Sequence, residues 1–115
     1  GGMTAKAPGR IGDTPMIGAG TFADNATCAV SGTGHGEVFI RYTAAAEISA
    51  RMRHAGQSLH DAADHVVMHD LAENDGSGGL IAVDAEGNIT MPFNCDGMYR
   101  GSVTQDGKFE TFIYR

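Results

Sequence analysis

The first twenty-five residues show no regular spacing of apolar positions. Glycine, proline and aspartate are too dense there for a helix or strand, so the pattern predicts a loop. "ATCAVSG", residues 26–32, is β-prone and ends in glycine, which predicts a buried strand. From Glu37 to about His54 the small and apolar positions Val38, Tyr42, Ala45, Ala46, Ser49 and Met52 recur at three and four residues, predicting a helix. Glu37 in its first turn and Arg51 and Arg53 in its last complement the helix dipole, and Gly56 suits the position after its end.

Ser58 with Asp61 reads as a capping-box variant opening a second helix. The buried stripe of that helix is predicted to run through Leu59, Ala62, Ala63, Val66, Val67 and Leu71. The short linker predicts two helices packed as antiparallel neighbours. "NDGSGG", residues 74–79, reads as a turn. "LIAVDAEGNITMPF" reads as a hairpin, with strands 80–84 and 89–93 around Glu86-Gly87-Asn88. "NCDGMYRG" reads as a loop and "FETFIYR" as a last strand, Phe109, Thr111 and Ile113 alternating with Glu110, Phe112 and Tyr114. Loop, strand, two helices and then several strands together predict a mixed α+β layered fold.

Composition narrows the setting. A length of 115 residues fits one domain, and 42% apolar residues suffice for a core. Seventeen glycines, about twice average usage, must sit in turns and tight loops, because no repeat or low-complexity run contains them. Eight basic against fourteen acidic residues give a net charge of −6, which argues against nucleic acid or an anionic membrane as partner. No apolar run approaches the ~20 residues of a membrane-spanning helix. Cys28 and Cys95 lie far apart without C-x-x-C spacing, so free thiols in a reducing, cytoplasmic setting are expected rather than a disulfide or a metal pair.

Two stretches carry candidate chemistry. In "SGTGHGE", Gly32, Gly34 and Gly36 free the backbone to bring N–H groups toward a ligand, and the predicted helix behind them would add unpaired donors. Such a cradle suits a phosphate, a carboxylate or the oxyanion of acyl transfer, although glycine-rich strand-to-helix turns also serve packing alone. A dinucleotide site does not fit, because a second helix rather than a strand follows the first. A phosphate-binding loop of the G-x-x-x-x-G-K-[ST] type is absent. In "APGRIGDTPMIGAG", Arg10 offers a fork for a carboxylate and Asp13 an acceptor for an ammonium, which suits the two ends of an α-amino acid; a simple salt bridge between them is the competing reading.

Other candidates are weaker. His65 and His69 have metal-ligand spacing, with Asp61 one turn earlier, but they flank the buried stripe beside Asp64 and Asp70, so a solvated charged face is expected and no metal site. A Cys95–His35 nucleophile pair lacks any local cue for thiolate formation.

"GGMTAKAPGRIGDTPMIGAGTFADN" followed by "AVSGTGHGEVFIR", with "GGLIAVDAEGNITMPFN" and "GMYR" further on, resembles the plant-type L-asparaginase / isoaspartyl peptidase family of N-terminal-nucleophile hydrolases, in its β-subunit portion. The resemblance covers nearly the whole chain, and the G-R-x-G-D-[ST]-P block together with T-G-x-G-E is specific. It implies a four-layer αββα sandwich, of which this chain supplies part of the sheets and one helix layer. It implies hydrolysis of β-aspartyl (isoaspartyl) dipeptides and L-asparagine without a cofactor, by a precursor that cuts itself into α and β subunits and assembles as (αβ)2.

Residue by residue, the resemblance assigns Arg10 to the substrate α-carboxylate and Asp13 to its α-amine. Thr33 and the backbone of Gly34 would form the oxyanion hole, and Gly36 would line the same pocket. The family's nucleophilic threonine, and a second catalytic threonine directly before the residues matching Gly1-Gly2, have no counterpart here. Residues 1–115 therefore read as a single domain, a β-subunit portion lacking its nucleophile segment and expected to be inactive alone. A glycosylasparaginase of the same superfamily and a non-catalytic anion-binding module remain the alternatives.

Overall fold

The computed structural model describes residues 8–9, 17–34, 43–74 and 76–114. Its centre is an antiparallel sheet of four strands in the order β1 (Thr21–Ala23), β2 (Cys28–Gly34), β3 (Gly78–Asp84) and β4 (Ile89–Thr90). Between β2 and β3 run helix α1 (Ala44–Ala55) and helix α2 (Leu59–His65), the latter continued by a π-helical turn, Val66–Leu71, and a 3-10 turn, Ala72–Asn74. A separate two-stranded ribbon, β5 (Arg100–Val103) with β6 (Phe109–Phe112), follows the sheet. The architecture is α+β, as the order of patterns predicts; the described residues form one helix layer on one sheet.

Period-two alternation selects the face of the sheet that the helices cover. On β2 and β3, Cys28, Val30, Leu80 and Ala82 point inward and are buried, while Ala29, Ile81 and Val83 are exposed. The inward set packs on Ala44, Ala45 and Ile48 of α1 and on the stripe of α2 and its extension. Every member of the predicted stripe from Leu59 to Leu71 is buried. The Ser58 side chain accepts the Asp61 N–H at 3.2 Å, as the capping pattern requires, and Gly56 closes α1 in the left-handed conformation. A buried hydroxyl pair, Thr27 with Ser49 at 2.6 Å, ties the start of β2 to α1.

Several boundaries differ from the pattern reading. The predicted helix from Glu37 begins, among the described residues, only at Ala44; Thr43 before it is left-handed, with φ 42°, so the helical run does not extend back through it. Val38 and Tyr42 of the predicted stripe lie outside the described residues, and Ala44 and Ile48, both fully buried, are core residues that stripe omitted. Residues 21–23, read as loop, form β1 because β2 offers them a pairing edge, Phe22 opposite Val30. Gly78 and Gly79, read as turn, already belong to β3. The predicted strand 89–93 pairs only at Ile89 and Thr90, with Phe93 making an isolated bridge to Gly79. Residues 100–103, read as loop, form β5, and the last strand stops at Phe112. Its alternation does not separate an inside from an outside, since Phe109 and Phe112 are both exposed.

The closest approach in the fold lies where β2 ends and β3 begins. Gly34 pairs with Gly78 at φ +138° and +155°, conformations that L side chains rarely adopt. A Cβ on Gly34 would come within 2.6 Å of the Gly78 Cα, and one on Gly78 within 2.8 Å of the Gly34 Cα. Both glycines are therefore required by space as well as by backbone torsion. Replacing either by alanine is expected to destabilise the fold by about 3 kcal/mol or more, because a backbone shift must accompany the strained torsion. Urea unfolding of each variant checks this, and an unchanged midpoint would refute the close contact.

Candidate functional site

Of the residues singled out for chemistry, Arg10, Asp13, Gly36 and His35 lie outside the described residues; Thr33 and Gly34 lie within them. Thr33 and Gly34 are not a free turn. They are the last two residues of β2, paired with Gly79 and Gly78 and only partly buried. By alternation Thr33 belongs to the side of the sheet away from the helices.

The described helix does not supply the donors expected behind the glycines. The Ala45 N–H donates to the Ala19 carbonyl at 3.0 Å and the Ala46 N–H to the Gly18 carbonyl at 2.9 Å. These first-turn groups, which a helix leaves without internal partners, are satisfied by the segment preceding β1. The same segment is held to β2, since the Gly32 N–H donates to the Gly20 carbonyl at 2.9 Å. Residues 18–20 thus form a joint between the start of α1 and the strand that carries Thr33 and Gly34.

On the β3 side, Asn94 is the organising side chain. Its Oδ1 accepts the Gly78 N–H at 2.8 Å, and its Nδ2 donates to the carbonyls of Gly76 at 2.8 Å and Val67 at 3.0 Å. Its own backbone N–H donates to the Gly78 carbonyl at 2.9 Å. Residues 94–101 are a loop by pattern, and a lone asparagine in a loop carries no sequence signal for this role. Beyond Gly79, the Phe93 ring lies under the Arg100 guanidinium, 4.8 Å from the ring centroid.

The histidine cluster lies beside the Arg51–Asp70 ion pair. The His65 and His69 rings stack with centroids 5.1 Å apart, and His65 Nε2 lies 3.3 Å from Asp70, which also faces Arg51 at 3.5 Å. Arg51 in turn pairs with Glu47 at 3.1 Å. Among the described residues no three His, Cys, Asp or Glu side chains are arranged to hold a metal ion. Asp84 shapes the β3–β4 turn: its carboxylate accepts the Asn88 side-chain and backbone N–H groups and the Glu86 N–H, and the Asn88 bonds chiefly lower its pKa. Among the described residues no helix is long and apolar enough to cross a membrane.

A family profile described as asparaginase matches residues 1–113. Over all 115 residues the sequence is 56% identical to a Salmonella typhimurium protein named isoaspartyl peptidase, covering 37% of that protein. It is 55% identical, again over 115 residues, to an Escherichia coli protein of the same name, covering 36% of it. Over 114 residues it is 48% identical to an Arabidopsis thaliana protein named probable isoaspartyl peptidase/L-asparaginase 2, covering 34% of it. The chain therefore spans little more than a third of the length of these relatives.

Both cysteines are free, Cys28 buried and Cys95 partly so, its thiol donating to the Gly97 carbonyl at 3.2 Å. Burial raises the pKa of Cys28, and Asp24 and Asp84 add to the rise against an opposing hydrogen bond from Thr27. The thiolate is the reactive form, so a raised pKa moves reactivity to higher pH. Cys28 should alkylate more slowly than Cys95 at about pH 8, with urea abolishing the difference. Mass mapping of iodoacetamide-treated protein checks this, and faster labelling of Cys28 would refute it.

Proposed function

The chain belongs to the asparaginase family, and from that premise we propose that it is the β-subunit portion of an amidohydrolase acting on β-aspartyl (isoaspartyl) dipeptides and L-asparagine. The observation that carries the reading is the joint at residues 18–20. Arg10 and Asp13 precede in sequence a segment whose Gly20 carbonyl accepts the Gly32 N–H, beside the Thr33–Gly34 strand end. Residues 18–20 and 32–34, distant in sequence, are thereby held side by side, which supports a site built from the residues before the one and at the end of the other.

In this mechanism Arg10 grips the substrate α-carboxylate through two parallel hydrogen bonds, and Asp13 accepts from the α-ammonium. The side-chain carbonyl of the aspartyl group is then presented to a threonine nucleophile outside this chain, whose own amine takes the hydroxyl proton. Attack forms a C–O bond and moves the carbonyl electron pair onto oxygen. Thr33 and the Gly34 N–H stabilise that oxyanion, and Gly36 leaves room beside it. Collapse expels ammonia or the amine of the dipeptide, which carries away the proton. Water then hydrolyses the ester and frees aspartate.

The uncovered side of the sheet supports the four-layer αββα arrangement. Ile81 at 46% exposure, Val83 at 41% and Ile89 at 45% line a shallow groove of about 430 Å³ that β5 partly borders. Apolar side chains in a row on a sheet face call for a second sheet. We assign that sheet to the α subunit of the same precursor, within an (αβ)2 assembly. The free thiols support a reducing, cytoplasmic setting.

In the full-length enzyme, Arg10→Ala should chiefly raise KM for a β-aspartyl dipeptide, by the equivalent of ~2–5 kcal/mol if a buried carboxylate loses its partner. Thr33→Ala should instead lower kcat, about a hundredfold, since the oxyanion exists only during reaction. Aspartate release measured over a range of substrate concentrations separates the two effects. An unchanged KM in the Arg10 variant, or wild-type kcat in the Thr33 variant, would overturn the assigned role, and preference for a glycoasparagine would move the enzyme to the sugar-cleaving branch.

A further inference from the structure

Among the described residues, the Thr33–Gly34 segment is paired with the start of β3. Gly34 rests against Gly78, each so close to the other's Cα that neither tolerates a side chain. Gly78 is in turn gripped at both of its peptide groups by Asn94: its N–H by the side-chain Oδ1 at 2.8 Å and its carbonyl by the backbone N–H at 2.9 Å. The remaining end of the Asn94 amide is anchored to two carbonyls, Gly76 in the approach to β3 and Val67 in the π-helical turn. One amide thus joins the helix layer, the start of β3 and the segment after β4. Two of its four bonds hold Gly78, the residue that Gly34 touches, and the other two fix the amide itself.

We propose that Asn94 is a positioning residue for catalysis: it sets the place of Gly78 and, through the Gly34–Gly78 contact, aims the Thr33–Gly34 oxyanion donors. The inference rests on the oxyanion reading of Thr33 and Gly34 given above. Oxyanion stabilisation depends on donors held where charge develops, and a displacement of about 1 Å can cost ~100-fold in rate. Substrate capture is assigned to other residues, Arg10 and Asp13. Loss of the Asn94 amide should therefore act on kcat and spare KM.

The test uses full-length enzyme with Asn94→Ala, Asn94→Asp and Thr27→Ala. Thr27 makes the buried Thr27–Ser49 hydroxyl pair and serves as a destabilised control away from Asn94. Asn94→Ala should lower kcat ~10–100-fold with KM within about threefold of wild type, while Thr27→Ala keeps kcat at a comparable loss of thermal stability. In Asn94→Asp a carboxylate faces the Gly76 and Val67 carbonyls; protonation restores one donor, so its kcat relative to wild type should rise from about pH 8 to about pH 5.

An Asn94→Ala kcat no lower than that of Thr27→Ala overturns the proposal, as does a flat relative pH profile for Asn94→Asp. Failure of both Asn94 variants to fold also overturns it, leaving Asn94 a purely structural role. Absence of aspartate release by wild type, or wild-type kcat in Thr33→Ala, would instead remove the underlying oxyanion reading.

Discussion

Backbone packed on backbone at Gly34 and Gly78 is the constraint from which the rest of the described structure follows. Two strands meet there without side chains between them, at torsions reserved for glycine. The contact sets the register of β2 against β3, because a slip by one residue that brought Thr33 into the place of Gly34 would set a side chain against Gly78 and turn Val30 out of the core. It also sets where the end of β2 can lie, and hence where its last backbone donors point.

The helix layer secures that register from one side only. Ile48, Val66, Val67, Leu71 and Leu80 are the largest fully buried side chains, and all lie between the sheet and the helices. Nothing comparable covers the other face among the described residues, where Ile81, Val83 and Ile89 stand exposed and the β5–β6 ribbon leaves Phe109 and Phe112 largely open. A sheet finished on one face is in keeping with a chain that spans little more than a third of the length of its relatives.

The joint at residues 18–20 shows how a loop without periodicity can still be well specified. Its carbonyls satisfy the first-turn N–H groups of α1, and Gly20 receives the Gly32 N–H. A helix N-terminus used in this way is closed by its own chain and offers nothing to an anion. The oxyanion function proposed for Thr33 and Gly34 therefore draws on a strand end and its glycine partner, not on the dipole of α1. On α2 and its extension, Asp70 faces both Arg51 and His65.

What the sequence by itself determined is whatever depends on neighbours along the chain. The stripe from Leu59 to Leu71, the Ser58 cap, the Gly56 stop and the turn at Glu86-Gly87-Asn88 are all local, and each is present. The G-R-x-G-D-[ST]-P and T-G-x-G-E blocks likewise carried the family, since specific residue types at short spacing suffice for that. Tertiary structure alone decided the rest, because it depends on partners distant in sequence. Thr21–Ala23 became a strand only by meeting β2, and α1 begins at Ala44 after a left-handed Thr43. Glycines that read as turns, Gly34 and Gly78, form a ladder pair, and Asn94 acquires its role from carbonyls on a helix and a strand that no local pattern connects to it.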